Sequence, residues 1–178
     1  HQAVTSPAWS NSEPRVLGDG TVVLPIGRNT QYAQNITWTF GDTVLEEAGS
    51  GSYYHVAWAS PDGEWLGAIG ADAYYGLLDA GDGSIYLWGD GYNTTVAGAQ
   101  VGGSDGSWLT KIASNGSMEW HLNVSLDWED HATPGNTAYH QAVTSPAWSN
   151  SEPRVLGDGT VVLPIGRNTQ YAQNITWT

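Results

Sequence analysis

The first 39 residues of the chain return letter for letter as residues 140–178, so that every residue from His1 to Thr39 has a twin 139 positions further on. Self-similarity at a fixed period is the mark of an array of supersecondary units, and it takes precedence over any other reading. Duplicated core positions normally drift apart once they face different neighbours. Perfect identity therefore points to a recent duplication, to a window on a longer tandem array, or to copies that each serve the same structural task. Such a chain reads as modular and open-ended.

Within the 139-residue repeat, short runs of β-branched and aromatic residues alternate with Gly, Asp and Asn turns. With 23 Gly, 10 Trp and 9 Tyr, the pattern predicts an all-β chain. Two kinds of hairpin recur. In the first, Val16-Leu17-Gly18-Asp19-Gly20-Thr21-Val22-Val23-Leu24 matches Leu78-Asp79-Ala80-Gly81-Asp82-Gly83-Ser84-Ile85-Tyr86-Leu87, and Gly157-Asp158-Gly159-Thr160 is a third copy. In the second, 53–59 and 64–70 flank Ser60-Pro61-Asp62-Gly63, while 108–113 and 117–124 flank Ser114-Asn115-Gly116. Pro presets φ and Gly accepts positive φ, so Pro-Asp-Gly makes a turn by a known mechanism. Asn-Gly between alternating strands is a strong short hairpin signal.

Pairing one hairpin of each kind gives four-stranded antiparallel units. The first unit spans residues 1–72 with an inserted loop at 10–14, and the second spans 73–124. Residues 125–139 read as a linker, and 140–178 as a half-unit identical to 1–39. Four antiparallel strands repeated in tandem make the blade of a β-propeller. The run Leu77-Leu78-Asp79, Gly83-Ser84-Ile85-Tyr86-Leu87-Trp88-Gly89, Gly103-Ser104-Asp105-Gly106-Ser107-Trp108-Leu109-Thr110-Lys111-Ile112, Asn115-Gly116 and Glu119-Trp120 resembles the bacterial and archaeal propeller repeat families, and more loosely the quinoprotein type. The resemblance covers 73–124 well and 1–70 more weakly. It implies about two and a half propeller-like blades, left open or completed by assembly, and it implies packing rather than chemistry. Most of the tryptophans fall at equivalent positions, where regular recurrence favours roles between blades.

Five Lys and Arg against 18 Asp and Glu give a formal charge of −13. That balance excludes nucleic acid as a partner, because phosphates need a basic surface, and no apolar run is long enough for membrane insertion. Cysteine is absent, so there is neither a disulfide framework nor a thiolate metal site. Sequons at Asn35, Asn93, Asn115, Asn123 and Asn174 point to glycosylation and to an extracellular or cell-surface setting.

The functional expectation is an extracellular structural or adhesive protein that associates with itself through its repeats. Val143, Val155, Val161, Val162, Leu163 and Ile165 of the terminal copy are expected to pair with a neighbour's 53–70 hairpin through Tyr53, Val56 and Trp58. Such a head-to-tail exchange generates rings or filaments. The alternative is a lectin-like module that grips glycans with Trp9, Trp128 and Trp148, which escape the regular tryptophan spacing. An enzyme of the glycosidase-propeller type comes third, and no catalytic residue is assigned. No cofactor is expected apart from calcium at Gly-Asp-Gly, where the alternating carboxylates of a calcium loop are missing. Asp127, Glu129, Asp130 and His131 form a weak metal candidate. Glu46-Glu47 and Asp72 are acids that only folding can bring together. His55 and His121 read as packing residues.

Overall fold

The computed structural model describes residues 13–30, 35–48, 51–72, 74–90, 94–102, 107–124, 126–129, 153–163 and 173–177, with the backbone alone at 28–30, 51–53, 90, 124, 126–129 and 173–177. All regular structure in these residues is β. In chain order the strands are β1 (Arg15–Val16), β2 (Val22–Thr30), β3 (Ile36–Phe40), β4 (Thr43–Glu47), β5 (Gly51–Ala59), β6 (Trp65–Ala71), β7 (Gly76–Asp79) and β8 (Ile85–Asp90). They continue with β9 (Thr95–Val96), β10 (Ala99–Gln100), β11 (Ser107–Ile112), β12 (Met118–Val124), β13 (Leu126–Glu129), β14 (Arg154–Val155), β15 (Val161–Val162) and β16 (Gln173–Trp177). One sheet runs β1-β2-β5-β6-β9-β10 and a second runs β12-β11-β8-β7, with β3-β4, β14-β15 and β13-β16 as separate pairs. Every pairing is antiparallel.

The two kinds of hairpin expected from sequence share one turn chemistry. At Leu17, Ser60, Ala113 and Leu156 the same bonds recur: the first residue's N–H donates to the carbonyl four residues on, and the N–H of the fourth-position glycine donates back to the first carbonyl. Asp19, Asn115 and Asp158 then each accept the backbone N–H two residues later, at 2.9 Å. Gly20, Gly63, Gly116 and Gly159 sit at φ between +81° and +87°, a region that side chains with a Cβ avoid. A short polar side chain that mimics the backbone, followed by glycine, is the common requirement.

Strand alternation decides the layers. On the first sheet Val23, Val56, Trp58, Ile69 and Ala71 point inward, and on the second Leu77, Ile85, Leu87, Trp108 and Ile112 meet them in one core. Trp58 and Trp108 are fully buried there, and each large apolar side chain so buried contributes about 1.5–3 kcal/mol. The opposite face of the first sheet, at Ala57 and Ala68, is covered by the β3-β4 hairpin through Trp38, Phe40 and Leu45. The opposite face of the second sheet, at Tyr86, Trp88 and Leu109, is covered by the terminal copy through Val155, Val161 and Leu163.

Three features depart from the sequence expectation. Residues 36–47, assigned no strands, form a hairpin whose Gly41 lies at φ +58°, the first central position that a type II′ turn reserves for glycine. Residues 126–129, expected within a linker, form β13 and pair with β16 of the terminal copy. The strands at 94–100 extend the first sheet through the pairing of Ala71 with Val96. The strands expected at 53–59, 64–70, 108–113 and 117–124 are present as β5, β6, β11 and β12, within a residue or two at most ends.

Candidate functional site

Two places on this scaffold stand out among the described residues. The first is a ledge beside the terminal copy. In the first copy β2 is held by β1 on one side and by β5 on the other, from Val22↔Ala59 to Thr30↔Gly51. In the terminal copy β15 is held by β14 in the same register, Arg154↔Val162 and Val155↔Val161. Among the described residues no strand takes the place of β5 on its other side. The second sheet ends at its edge strand β12, where Trp120 and Leu122 are 37% and 56% exposed. Leu122 pairs with Leu109, and Trp120 with Lys111, so both lie on the face that the terminal copy partly covers.

The residues expected to carry self-association distribute unevenly. Val155, Val161 and Leu163 pack on the second sheet, and Val162 remains 46% exposed. Val56 and Trp58 are fully buried between the sheets, and the edge of β5 is occupied by the chain's own β2. Tyr53 pairs with Arg28 through its backbone. Val143 and Ile165 lie outside the described residues, as do Trp9, Trp148, Asn93, Asp130 and His131. Asp127, Trp128 and Glu129 fall on β13, and Asn174 on β16. Among the described residues no group of three metal-ligating side chains occurs. Asn35, Asn115 and Asn123 are exposed. His121 is exposed, whereas His55 is buried.

The second place is a cleft of about 580 Å³. Its walls come from β4, from the ends of β5 and β6, and from the β9-β10 turn, where Ala97 and Gly98 both take positive φ. The acids Glu46, Glu47 and Asp72, which sequence could not associate, all line it, together with His55. Folding of β3-β4 over the first sheet places the Glu47 carboxylate in direct ion-pair contact with His55 Nε2. The two side chains are 7% and 4% exposed. Beyond that contact, the Glu47 carboxylate is buried without a further hydrogen-bond partner. Trp38 packs against the imidazole at 5.0 Å between ring centroids. Burial holds the His55 pKa below its ordinary value, against the opposing pull of the Glu47 charge. At the mouth, Asp72 Oδ2 accepts the Thr95 N–H at 2.7 Å.

The Gly-Asp-Gly turns use their carboxylates internally. Asp19 and Asp158 accept from their own turns. Asp82 meets Ser84 and, at 2.6 Å, the Lys111 ammonium, which also reaches Glu119 at 3.1 Å. The Lys111 hydrogen bond, with Ser84, lowers the Asp82 pKa to about 2. Sequence reasoning missed the Glu47–His55 pair because it depends on β3-β4. The available signal was Gly41-Asp42 between two alternating runs, a glycine-first turn overshadowed by the many Asp-Gly turns.

Compared with protein-family models, with curated proteins and with solved structures, the chain has no match.

Proposed function

We propose that the chain is an extracellular structural or adhesive protein whose activity is assembly with further copies of itself. The ledge beside the terminal copy carries this reading. The 178 residues hold two copies of the segment that forms β1 and β2, and one copy of the β5-β6 hairpin that completes it. The occupant that matches the open side of β15 is the β5-β6 hairpin of a second copy, which must first leave its own β2 in a strand exchange. In the first copy that hairpin meets the identical segment in nine consecutive register pairs. Its arrival would satisfy the backbone edge of β15.

Strands β1-β2-β5-β6 of the first sheet and the four strands of the second act in this reading as propeller-type blades stacked face to face, and the exchange lends two strands from the next molecule. An exchange of this kind is heterologous, so the rotation between copies decides between a ring and a filament. The exposed sequons at Asn35, Asn115 and Asn123 support an exported setting.

Light scattering over a range of concentrations tests the proposal on the full chain and on a chain ending at residue 139. Particles that grow with concentration, become monomeric on truncation, and dissolve when a peptide of residues 51–71 is added in excess are the expected result. Full-length chains that stay monomeric throughout would reject it.

A further inference from the structure

The place that β1, β2 and β3 occupy on the first sheet fits two segments of the same chain. We infer that residues 140–178 are its second occupant, able to displace residues 1–39 within one molecule, so that the chain has two mutually exclusive folds. The side chains that fill the place all have twins. Leu17 and Val23, in the core between the sheets, are matched by Leu156 and Val162. Ile26 and Trp38, packed with Phe40, Ala57 and Ala68, are matched by Ile165 and Trp177. The strands that receive them, β4, β5 and β6, occur once in the sequence. One site faces two equal claimants.

The terminal copy already has the shape the place requires. It keeps the β1-β2 register and the same turn, in which Leu156 N–H donates to Thr160 at 2.8 Å and Gly159 N–H to Leu156 at 2.9 Å. A Cβ on Gly20 would lie 3.0 Å from the Pro61 ring, and its twin Gly159 carries none to obstruct that fit. A segment preorganised in its bound form gives up little freedom on binding. Docking there would bury Leu156 and Val162 as deeply as Leu17 and Val23. The displaced segment would offer Val16, Val22 and Leu24 to the outer face of the second sheet, in place of Val155, Val161 and Leu163. The two arrangements differ chiefly in how the chain is connected. Residues 1–39 reach β4 through the tight Gly41-Asp42 turn, whereas 140–178 must cross on residues 130–153, which at about 3.3 Å each span roughly 80 Å. The longer closure, with loss of the β13-β16 pairing, makes the exchanged arrangement the minor one.

The test uses the full chain, which has no cysteine of its own. Val162→Cys places a thiol at a position 46% exposed, where a maleimide reacts freely. Val23→Asp puts a carboxylate into the core and evicts residues 1–39. With both substitutions, labelling should slow by at least about tenfold, as for a group reached only through local opening, and the amides of residues 56–58 should stay protected from exchange. Val23→Asp combined with Val162→Asp should abolish that protection, while Val162→Asp alone should leave it intact. Fast labelling of the Val23→Asp, Val162→Cys chain would overturn the inference, whether residues 1–39 stay in place or the first sheet unfolds. Equal amide protection in Val23→Asp chains with and without Val162→Asp would do the same. Shielding that grows with protein concentration would also overturn it, because it reports exchange between molecules. That event is the one light scattering reads, so failure of either proposal leaves the other standing.

Discussion

Residues 15–24 and 154–163 are the same ten amino acids, and they fold into the same hairpin with the same register. They bury opposite faces. In the first copy Leu17 and Val23 are 3% and 0% exposed against the inner face of the second sheet, while Val16 is 70% exposed. In the terminal copy Leu156 and Val162, the twins of Leu17 and Val23, are 47% and 46% exposed. There Val155, the twin of Val16, packs against the outer face of that same sheet. Local sequence specifies the hairpin and its register through Asp-Gly turn chemistry. The neighbour alone decides which side becomes core, because both sides are apolar.

The sharpest way to break this comparison is one substitution made twice. Leu17→Ala should cost about 2–5 kcal/mol of unfolding free energy, as for a leucine removed from a close-packed core. Leu156→Ala should stay within about 0.5 kcal/mol, and denaturant midpoints of the two variants check the contrast. Equal effects would mean that the twins share one environment.

The mirror experiment uses the other face. Val155→Asp places a carboxylate against Tyr86 and Trp88 and should release the terminal hairpin at a cost of about 1–3 kcal/mol, whereas Val16→Asp should change little. Since the hairpin is a local unit, amide exchange at Val161 reads the release better than a global transition.

A smaller effect concerns His55, whose strand partners the first copy and has no counterpart beside the terminal one among the described residues. Its folded pKa is depressed by burial, so below the ordinary value of 6.5 the unfolded chain takes up a proton that the folded chain refuses. Stability should therefore be fully present above that value and decline as the pH falls beneath it. His55→Gln should flatten this slope in midpoints measured across that range.

The smallest effect separates the Gly-Asp-Gly turns centred on Asp19, Asp82 and Asp158, since Asp82 alone has an ammonium partner among them. Asp82→Asn should cost at most about 1 kcal/mol, the ceiling for exposed ion pairs. The contribution is present above the ordinary carboxylate value of 3.8 and is lost as the pH falls through about 2. Stability titrations of the variant against the unaltered chain check the sign.

The parts of the fold legible in sequence are those written in nearest-neighbour chemistry. Asp19-Gly20, Asp62-Gly63 and Asn115-Gly116 announce their turns, and alternation through Ile85–Trp88 and Trp108–Ile112 announces the strands between them. What escaped depends on surfaces meeting at a distance. Glu47 reads as one more solvated acid and His55 as one more packing residue until β3-β4 folds across the first sheet. The pairing of β13 with β16 was hidden for a related reason. Ile36-Thr37-Trp38 pairs with Glu47, Glu46 and Leu45, while the identical Ile175-Thr176-Trp177 pairs with Trp128, Asp127 and Leu126, so the strand's own letters do not name its partner.

The apolar residues on both sides of the β1-β2 hairpin give the molecule a direction. At one end the Val16 side of that hairpin faces outward, and at the other the Leu156 side of its twin does. The two ends are chemically distinct even though the residues that make them are the same. An assembly grown from such units would be polar, with a head that cannot substitute for its tail. Its two ends would elongate at different rates, and a cap designed for one would leave the other growing.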